Sequence, residues 1–388
     1  MNQPQRRMTL YIVAGLCLLA LLIVVGWLVS REPPAPAPNP QIRATTTPTR
    51  TRRYTPLSLP EEDAVRETLT NQVAASAITN AAVLYRQAFA LYDALTKEQK
   101  GIVSDWRTNV DASLESELCE KIQPICDLLH QAATASNCDW GVAKPFTYEM
   151  IGSLSPLLDS SRAIARAARW SAAHCRESDS SEAVSDLVAA SRLGHNMPPI
   201  LISFLVDVAI QESTLDFIAK HASTLAASDD PRLLQLVEEG QFDEPLLRGI
   251  ERERDLTSER LSVKQLEASD EYMRSLREWE TQYVKALQLP EVDYQEWLTH
   301  LHEAEKTNPL LGSMMSAFEI VMERSRRASV TTAMVAAGLA VTRDGETALQ
   351  SHPDPSTGGP FTYTRTADGF ELQSSYEVKG QPLKVQFK

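Results

Sequence analysis

The chain has 388 residues, with 51 acidic and 38 basic side chains and a formal net charge of −13. The residues up to Arg53 hold seven arginines and one acid, so the remainder carries a net charge of −19. A body this acidic repels nucleic acid and anionic lipid, which argues against a nucleic-acid-binding protein.

Residues 9–29 form an apolar run without a charged side chain. The run has about the 20 residues that a helix needs to cross a bilayer, and it is longer than the apolar core of a cleaved signal peptide. We therefore predict one transmembrane helix behind a short tail, residues 1–8. Arg6 and Arg7 precede the run and Arg31 follows it, a bias that favours a cytoplasmic N-terminus. The predicted location is the bacterial inner membrane, with the C-terminal domain extracytoplasmic.

The rest of the chain divides by composition into three parts. Residues 30–60 are rich in Pro, Thr and Arg, which predicts an extended linker. Residues 61–345 have helical periodicity, and residues 346–388 have strand-like alternation. The predicted fold class is mainly α: a multi-helix ectodomain with a small C-terminal antiparallel β element, behind the transmembrane helix.

Helix signals begin at Glu61, and apolar residues at three- and four-residue steps continue to Leu95. This pattern predicts one amphipathic helix. Thr96 and Gln99 have the spacing of a capping box that opens another helix. Pro124 is unfavourable inside a helix, so residues 114–130 are predicted to form two segments.

Glycines and prolines predict a loop over residues 137–156, followed by helices over about 157–175 and 182–193. Ser180 or Ser181 is expected to open the second of these helices and Gly194 to close it. The pair resembles a single tetratricopeptide-type hairpin, without a recurring 34-residue period.

Residues 200–210 are apolar nearly all round except for Asp207, which predicts a central core helix. Asp229, Asp230 and Pro231 are predicted to open the next helix. Residues 245–287 are highly charged, with a narrow apolar seam that suits a coiled-coil-like hairpin. The seam consists of Leu266, Met273, Leu276, Trp279, Tyr283 and Leu287. Two further helices are expected before residue 341.

After Gly345 the apolar period changes from 3.6 to 2. Phe361 and Tyr363, two residues apart, precede an Asp368-Gly369 turn, and Phe370 follows that turn. A further alternating run after Gly380 completes a predicted three-strand antiparallel sheet.

Four cysteines lie outside the apolar run: Cys119, Cys126, Cys138 and Cys175. An even number fits an oxidising compartment, although reduced thiols are also common in the cytosol. Cys119 and Cys126 are about 10 Å apart along one helix, too far to bridge, so Cys138 or Cys175 is the better partner. Cys126 and His130 share a helix face, but their spacing matches no established zinc pattern, and we predict no metal or cofactor.

Arg162, Arg166 and Arg169 form a basic stripe on one helix face. Such a stripe is able to hold an anionic ligand by bidentate hydrogen bonds. The alternative that we prefer is a structural ion-pair cluster, with Asp207 as the partner carboxylate, because a buried carboxylate is costly unless paired. The sequence contains no phosphate-binding loop, dinucleotide-binding fingerprint, nucleophile elbow or HExxH motif, so we predict no catalytic residue.

Four stretches resemble uncharacterised membrane-anchored proteins of planctomycete-type bacteria. They are residues 80–89 (NAAVLYRQAF), 137–141 (NCDWG), 186–194 (DLVAASRLG) and 201–203 (LIS). The C-terminal segment is similar to type II secretion pseudopilins, through Asp354-Pro355, a glycine turn, an aromatic strand and Asp368-Gly369-Phe370. The pilin glutamate at the start of the apolar run is missing.

Together these features predict a non-catalytic scaffold or protein-interaction module of the cell envelope. It would be held in the membrane by residues 9–29 and would bind a protein partner through its helical surfaces. The alternatives are an accessory component of a type II secretion-like apparatus, which the C-terminal resemblance implies, and an envelope hydrolase without a recognisable motif.

Overall fold

The computed structural model describes residues 80–142, 148–175, 179–238, 246–252, 281, 285–286, 291–307 and 309–388. The predicted transmembrane run, the linker and the apolar seam of the predicted coiled coil lie outside these residues. Among the helices described, none has the length and apolar character needed to span a bilayer.

The described part of the chain is mainly helical and ends in a small sheet. The helices are α1 (Ala81–Asp93), α2 (Lys97–Val103), α3 (Ala112–Ala133), α4 (Tyr148–His174), α5 (Ser180–His195), α6 (Leu201–Lys220), α7 (Ala222–Ala226), α8 (Pro231–Glu238), α9 (Glu291–Thr307) and α10 (Pro309–Asp344). Residues 246–252 are also helical. A 3₁₀ helix (Glu346–Ser351) leads to strands β1 (Thr362–Thr366), β2 (Gly369–Val378) and β3 (Gln381–Phe387).

Helix α6 lies at the centre of the helical part. It packs against α4, α5 and α10, and Phe204, Val208 and Phe217 are all buried. A helix that is apolar on every side has to be enclosed by other elements, because no side of it tolerates water. The prediction of a core helix around Asp207 is confirmed.

The C-terminal sheet is antiparallel in the order β1-β2-β3, as the alternating pattern predicted. Tyr363 pairs with Leu372 across β1 and β2, and Phe370 pairs with Phe387 across β2 and β3. The buried Phe387 ring lies directly on Gly338 of α10, where an added Cβ would come within 2.1 Å of the ring. The missing side chain of Gly338 therefore allows the sheet to pack on α10.

Two helix starts differ from the predictions. Asn80 has extended backbone angles, and its side chain accepts a hydrogen bond from the N–H of Ala82, so α1 begins at Ala81. The part of the predicted helix over residues 61–79 lies outside the described residues. Asp179, rather than Ser180 or Ser181, caps α5 by accepting from the N–H of Glu182. The predicted capping box at Thr96 and Gln99 is confirmed, with both of its hydrogen bonds present.

Proline breaks fewer helices than predicted. Helix α3 is continuous through Pro124, and α4 begins at Tyr148 and continues through Pro156. A proline inside a helix costs about 3 kcal/mol. Ile122 and Ile125 flank Pro124, Leu154 and Leu158 flank Pro156, and all four are buried. Packing on both sides of each proline therefore outweighs the lost hydrogen bond.

Candidate functional site

A pocket of about 410 Å³ lies where the chain passes from α5 to α6. It is lined by residues 135–138 after α3, by the end of α5 and the connector to α6, by the first turns of α6, and by Arg248. Three segments that are distant in the sequence therefore supply its walls.

The connector between α5 and α6 is held in place by an aromatic group. Trp140 Nε1 donates to the carbonyl of Asn196 at 2.6 Å, and Asn196 Nδ2 donates to the hydroxyl of Tyr85 at 3.0 Å. The Trp140 ring stacks on Tyr85 and on Phe89 of α1. These contacts fix one wall of the pocket to the body of the helical part.

Asn80 fixes the segment that contains Cys138. Its side-chain amide donates to the carbonyl of Asp139 at 2.9 Å, and its side-chain oxygen accepts from the N–H of Asp139 at 2.8 Å. The segment that contains Cys138 is thus bound to the N-terminus of α1. Asn137 and Cys138 of this segment line the pocket together with Gly194 and Ser203.

Asp207 of α6 lies in the pocket wall and is only 2 % exposed. Its Oδ1 accepts from Gln211 Nε2 at 3.1 Å, and its Oδ2 lies 3.9 Å from His195 Nε2. Burial raises the pKa of the Asp207 carboxyl, against the opposing influence of His195, Gln211 and Arg248. The neutral acid, which is a hydrogen-bond donor, is therefore favoured relative to a carboxyl group in water.

Gly194 allows Asp207 to occupy this position. A Cβ on Gly194 would lie 2.2 Å from Asp207 Oδ1, so any larger residue at position 194 would displace the carboxyl group. Gly194 was predicted to end α5. Helix α5 instead ends at His195, so Gly194 lies within it. The missing side chain of Gly194 is what allows Asp207 of α6 to come close to α5.

Two further side chains of the pocket bear on its chemistry. Ser203 is 1 % exposed, and its hydroxyl has no hydrogen-bond partner in the described part of the chain. Burial raises the pKa of the Cys138 thiol to about 11, so this thiol is a poor nucleophile at neutral pH. The pocket offers hydrogen-bonding groups for a ligand, but it does not contain an activated thiolate.

The predicted ion-pair cluster of Arg162, Arg166, Arg169 and Asp207 is not what the structure shows. Asp207 contacts Gln211 and His195, and Arg169 is influenced by a different carboxylate, Asp216. Helical periodicity predicts that the three arginines share one face of α4. It does not predict which residues of α6 pack against that face. The prediction that Asp207 pairs with the stripe was wrong.

Cys119 and Cys175 are joined by a disulfide, which links α3 to the residue after α4. Cys126 and Cys138 are thiols. Of the two partners left open for Cys119, the structure selects Cys175.

His130 contacts a buried carboxyl group. Its Nε2 lies 2.8 Å from Oδ1 of the fully buried Asp186. In the described ranges, no three His, Cys, Asp or Glu side chains are grouped in a way that would hold a metal ion.

Comparison of the chain with protein-family models, with curated proteins and with solved structures finds no match.

Proposed function

We propose that this chain is a non-catalytic binding protein of the bacterial cell envelope. Residues 9–29 anchor it in the inner membrane, residues 30–60 act as a spacer, and the helical domain binds a partner at the pocket between α5 and α6. The observation that carries the proposal is this pocket, in which the buried Ser203 hydroxyl and the Asp207 carboxyl are positioned by rigid walls. Binding sites commonly combine such an enclosed shape with a few fixed polar groups.

The chemistry of the pocket supports binding rather than catalysis. The Cys138 thiol has a raised pKa, and the closest imidazole to Asp207 is 3.9 Å away, beyond hydrogen-bond distance. A nucleophile needs a base within about 3 Å to activate it. The α4–α5 pair is, in this proposal, a tetratricopeptide-like hairpin whose end forms part of the binding surface.

The Cys119–Cys175 disulfide supports an extracytoplasmic location. Disulfides persist in the periplasm and are rare in the reducing cytosol. Protease added to intact spheroplasts should remove the helical domain. A domain that is cleaved only after the cells are lysed would contradict the proposed topology.

The pocket is tested by placing a photo-crosslinking amino acid at Pro199, which is exposed at its rim, in the full-length protein in cells. The matched control carries the same amino acid at Leu91, which is 40 % exposed on α1 and is not part of the pocket. We expect a discrete adduct from position 199 alone, and we expect Ser203→Leu, which fills the pocket, to abolish it. Identical adducts from both positions, or an adduct that survives Ser203→Leu, would contradict the proposal.

A second function, as an accessory of a type II secretion-like apparatus, is favoured by the C-terminal segment. Helix α10 packs against β2 and β3 of the antiparallel sheet, in the order helix then sheet that the pseudopilin resemblance implies. Deletion of residues 346–388 tests this alternative, since it would disturb assembly with a secretion apparatus. Under the first proposal, the adduct from position 199 would persist wherever the truncated protein still folds.

A further inference from the structure

Arg169 of α4 is a buried cation whose hydrogen bonds are incomplete. It is 4 % exposed, and its Nε and Nη1 have no hydrogen-bond partner within the described residues. A guanidinium carries five N–H donors and stays charged at physiological pH. Buried donors of a charged group are strongly unfavourable when they are left unsatisfied.

A second arginine is buried in the described part of the chain and offers a comparison. Arg326 of α10 is 8 % exposed, its Nη1 donates to the carbonyl of Ala286 at 3.2 Å, and its guanidinium lies 4.1 Å from the centroid of the Tyr294 ring. The fold therefore provides a carbonyl and an aromatic face for Arg326. Within the described residues, neither Nε nor Nη1 of Arg169 has a hydrogen-bond acceptor.

The charges near Arg169 are mostly positive. Arg166, Arg162 and Arg107 act on it as cations and Asp216 as an anion. Arg107 itself donates to Asp216 through Nη2 and to Asp105 through Nη1, the latter at 3.5 Å. Burial, followed by the charge of Arg166, lowers the pKa of Arg169 to about 9. A buried cation among other cations is the environment that an anion would stabilise.

The residues around Arg169 are fixed by their neighbours. His174 Nε2 lies 2.9 Å from the carbonyl of Trp106, and the next residue, Cys175, is bonded to Cys119. The Arg107 guanidinium lies 4.5 Å from the centroid of the Trp106 ring. Arg107 and the end of α4 are therefore held in position before any ligand arrives, which lowers the entropic cost of binding.

We propose that Arg169, Arg166 and Arg107 form a binding site for a phosphate-type oxyanion. Guanidinium groups bind such anions through paired, charge-assisted hydrogen bonds, which would satisfy the donors of Arg169. The Arg107 side chain is 44 % exposed, Arg166 is half-buried and Arg169 is buried, so solvent reaches two of the three arginines. This site is separate from the pocket between α5 and α6, and the inference does not depend on the function proposed for that pocket.

The test uses the full-length chain in a neutral detergent and measures its Tm in inorganic phosphate and in chloride at equal ionic strength. At a phosphate concentration 100 times the Kd, we expect the Tm of the parent to rise by about 4 °C relative to chloride. Arg169→Met should abolish this rise and should melt in chloride no lower than the parent, because it removes a poorly satisfied buried charge. Arg326→Met is the matched control and should retain the phosphate-induced rise.

A second variant covers the case in which Arg169→Met does not fold. Arg166→Gln changes a half-buried side chain and should weaken phosphate binding about tenfold, measured as the shift of the concentration needed for half the rise in Tm. A parallel measurement in nanodiscs of phosphatidylglycerol and of phosphatidylcholine separates the two sources of the anion. A rise confined to the anionic lipid identifies a headgroup, and a rise with phosphate alone identifies a soluble anion.

Equal melting of the parent in phosphate, chloride and both lipids would overturn the proposal. So would a phosphate-induced rise that Arg169→Met or Arg166→Gln leaves unchanged. A large loss of stability of Arg169→Met in chloride would also overturn it, since Arg169 would then be satisfied without an anion.

Discussion

Two buried carboxyl groups, Asp207 in the helical part and Asp354 before the sheet, have opposite electrostatic character. Each is 2 % exposed, yet the pKa of Asp207 is raised and the pKa of Asp354 is lowered. Burial raises the pKa of both groups and is the largest influence on each. The difference comes from the hydrogen-bond donors that each carboxyl group meets.

Asp354 is surrounded by donors. It accepts from the N–H and hydroxyl of Ser356, from the hydroxyl of Ser374, and from the N–H and hydroxyl of Ser375. Together these bonds stabilise the carboxylate more than burial destabilises it. Asp207 accepts from Gln211 alone among the hydrogen bonds described here, so burial prevails there. The carboxyl group near the sheet is a structural anchor, whereas the one in the pocket makes fewer hydrogen bonds.

The comparison predicts its largest effect at the anchor. Asp354→Ala leaves buried hydroxyls and the N–H of Ser375 without an acceptor, and should lower the free energy of unfolding by about 3–5 kcal/mol. Denaturant unfolding of the full-length chain measures this change. Asp368→Ala, in the exposed turn between β1 and β2, is the control and should change little. Similar costs for the two variants would show that the serine donors do not stabilise the carboxylate.

A smaller effect is expected where Gly194 meets Asp207. Gly194→Ala places a Cβ 2.2 Å from Asp207 Oδ1 and should cost about 2 kcal/mol. The cost should largely disappear in an Asp207→Ala background, as measured by a double-mutant cycle. Gly101→Ala in α2 is the matched control, since nothing lies within 4 Å of its added Cβ, and it should stabilise the helix by about 0.5–1 kcal/mol. An equal cost of Gly194→Ala in both backgrounds would show that the added Cβ clashes with a residue other than Asp207.

The sequence predicted the local features of both regions. Alternation over a few residues predicted the sheet, and an acidic residue inside an apolar run marked Asp207 as unusual. Gln211 was also readable as a partner, since it lies four residues after Asp207 on the same helix. These predictions succeed because the interacting residues are close in the chain.

The contacts between distant segments were not predictable in this way. Asp354 meets Ser374 and Ser375 across about 20 residues, and the pocket joins the segment around Cys138 to α6. Periodicity tells which residues share a helix face, but not which faces meet. The assignment of Asp207 to the arginine stripe failed for that reason.

The smallest predicted effect is a difference in pH dependence. The ordinary pKa of an aspartate is 3.8. Because the folded pKa of Asp207 is raised, its contribution to stability is complete below pH 3.8 and is lost as the pH rises through the folded value. Asp207→Asn removes this loss, so its stability relative to the parent should rise as the pH rises from about 4 to about 7. Asp354 has a lowered pKa, so its contribution is present above pH 3.8 and is lost as the pH falls below that value. The cost of Asp354→Asn should therefore shrink towards pH 3. Denaturant unfolding of both variants across this range measures the two slopes, and slopes of the same sign would show that the two carboxyl groups share one environment.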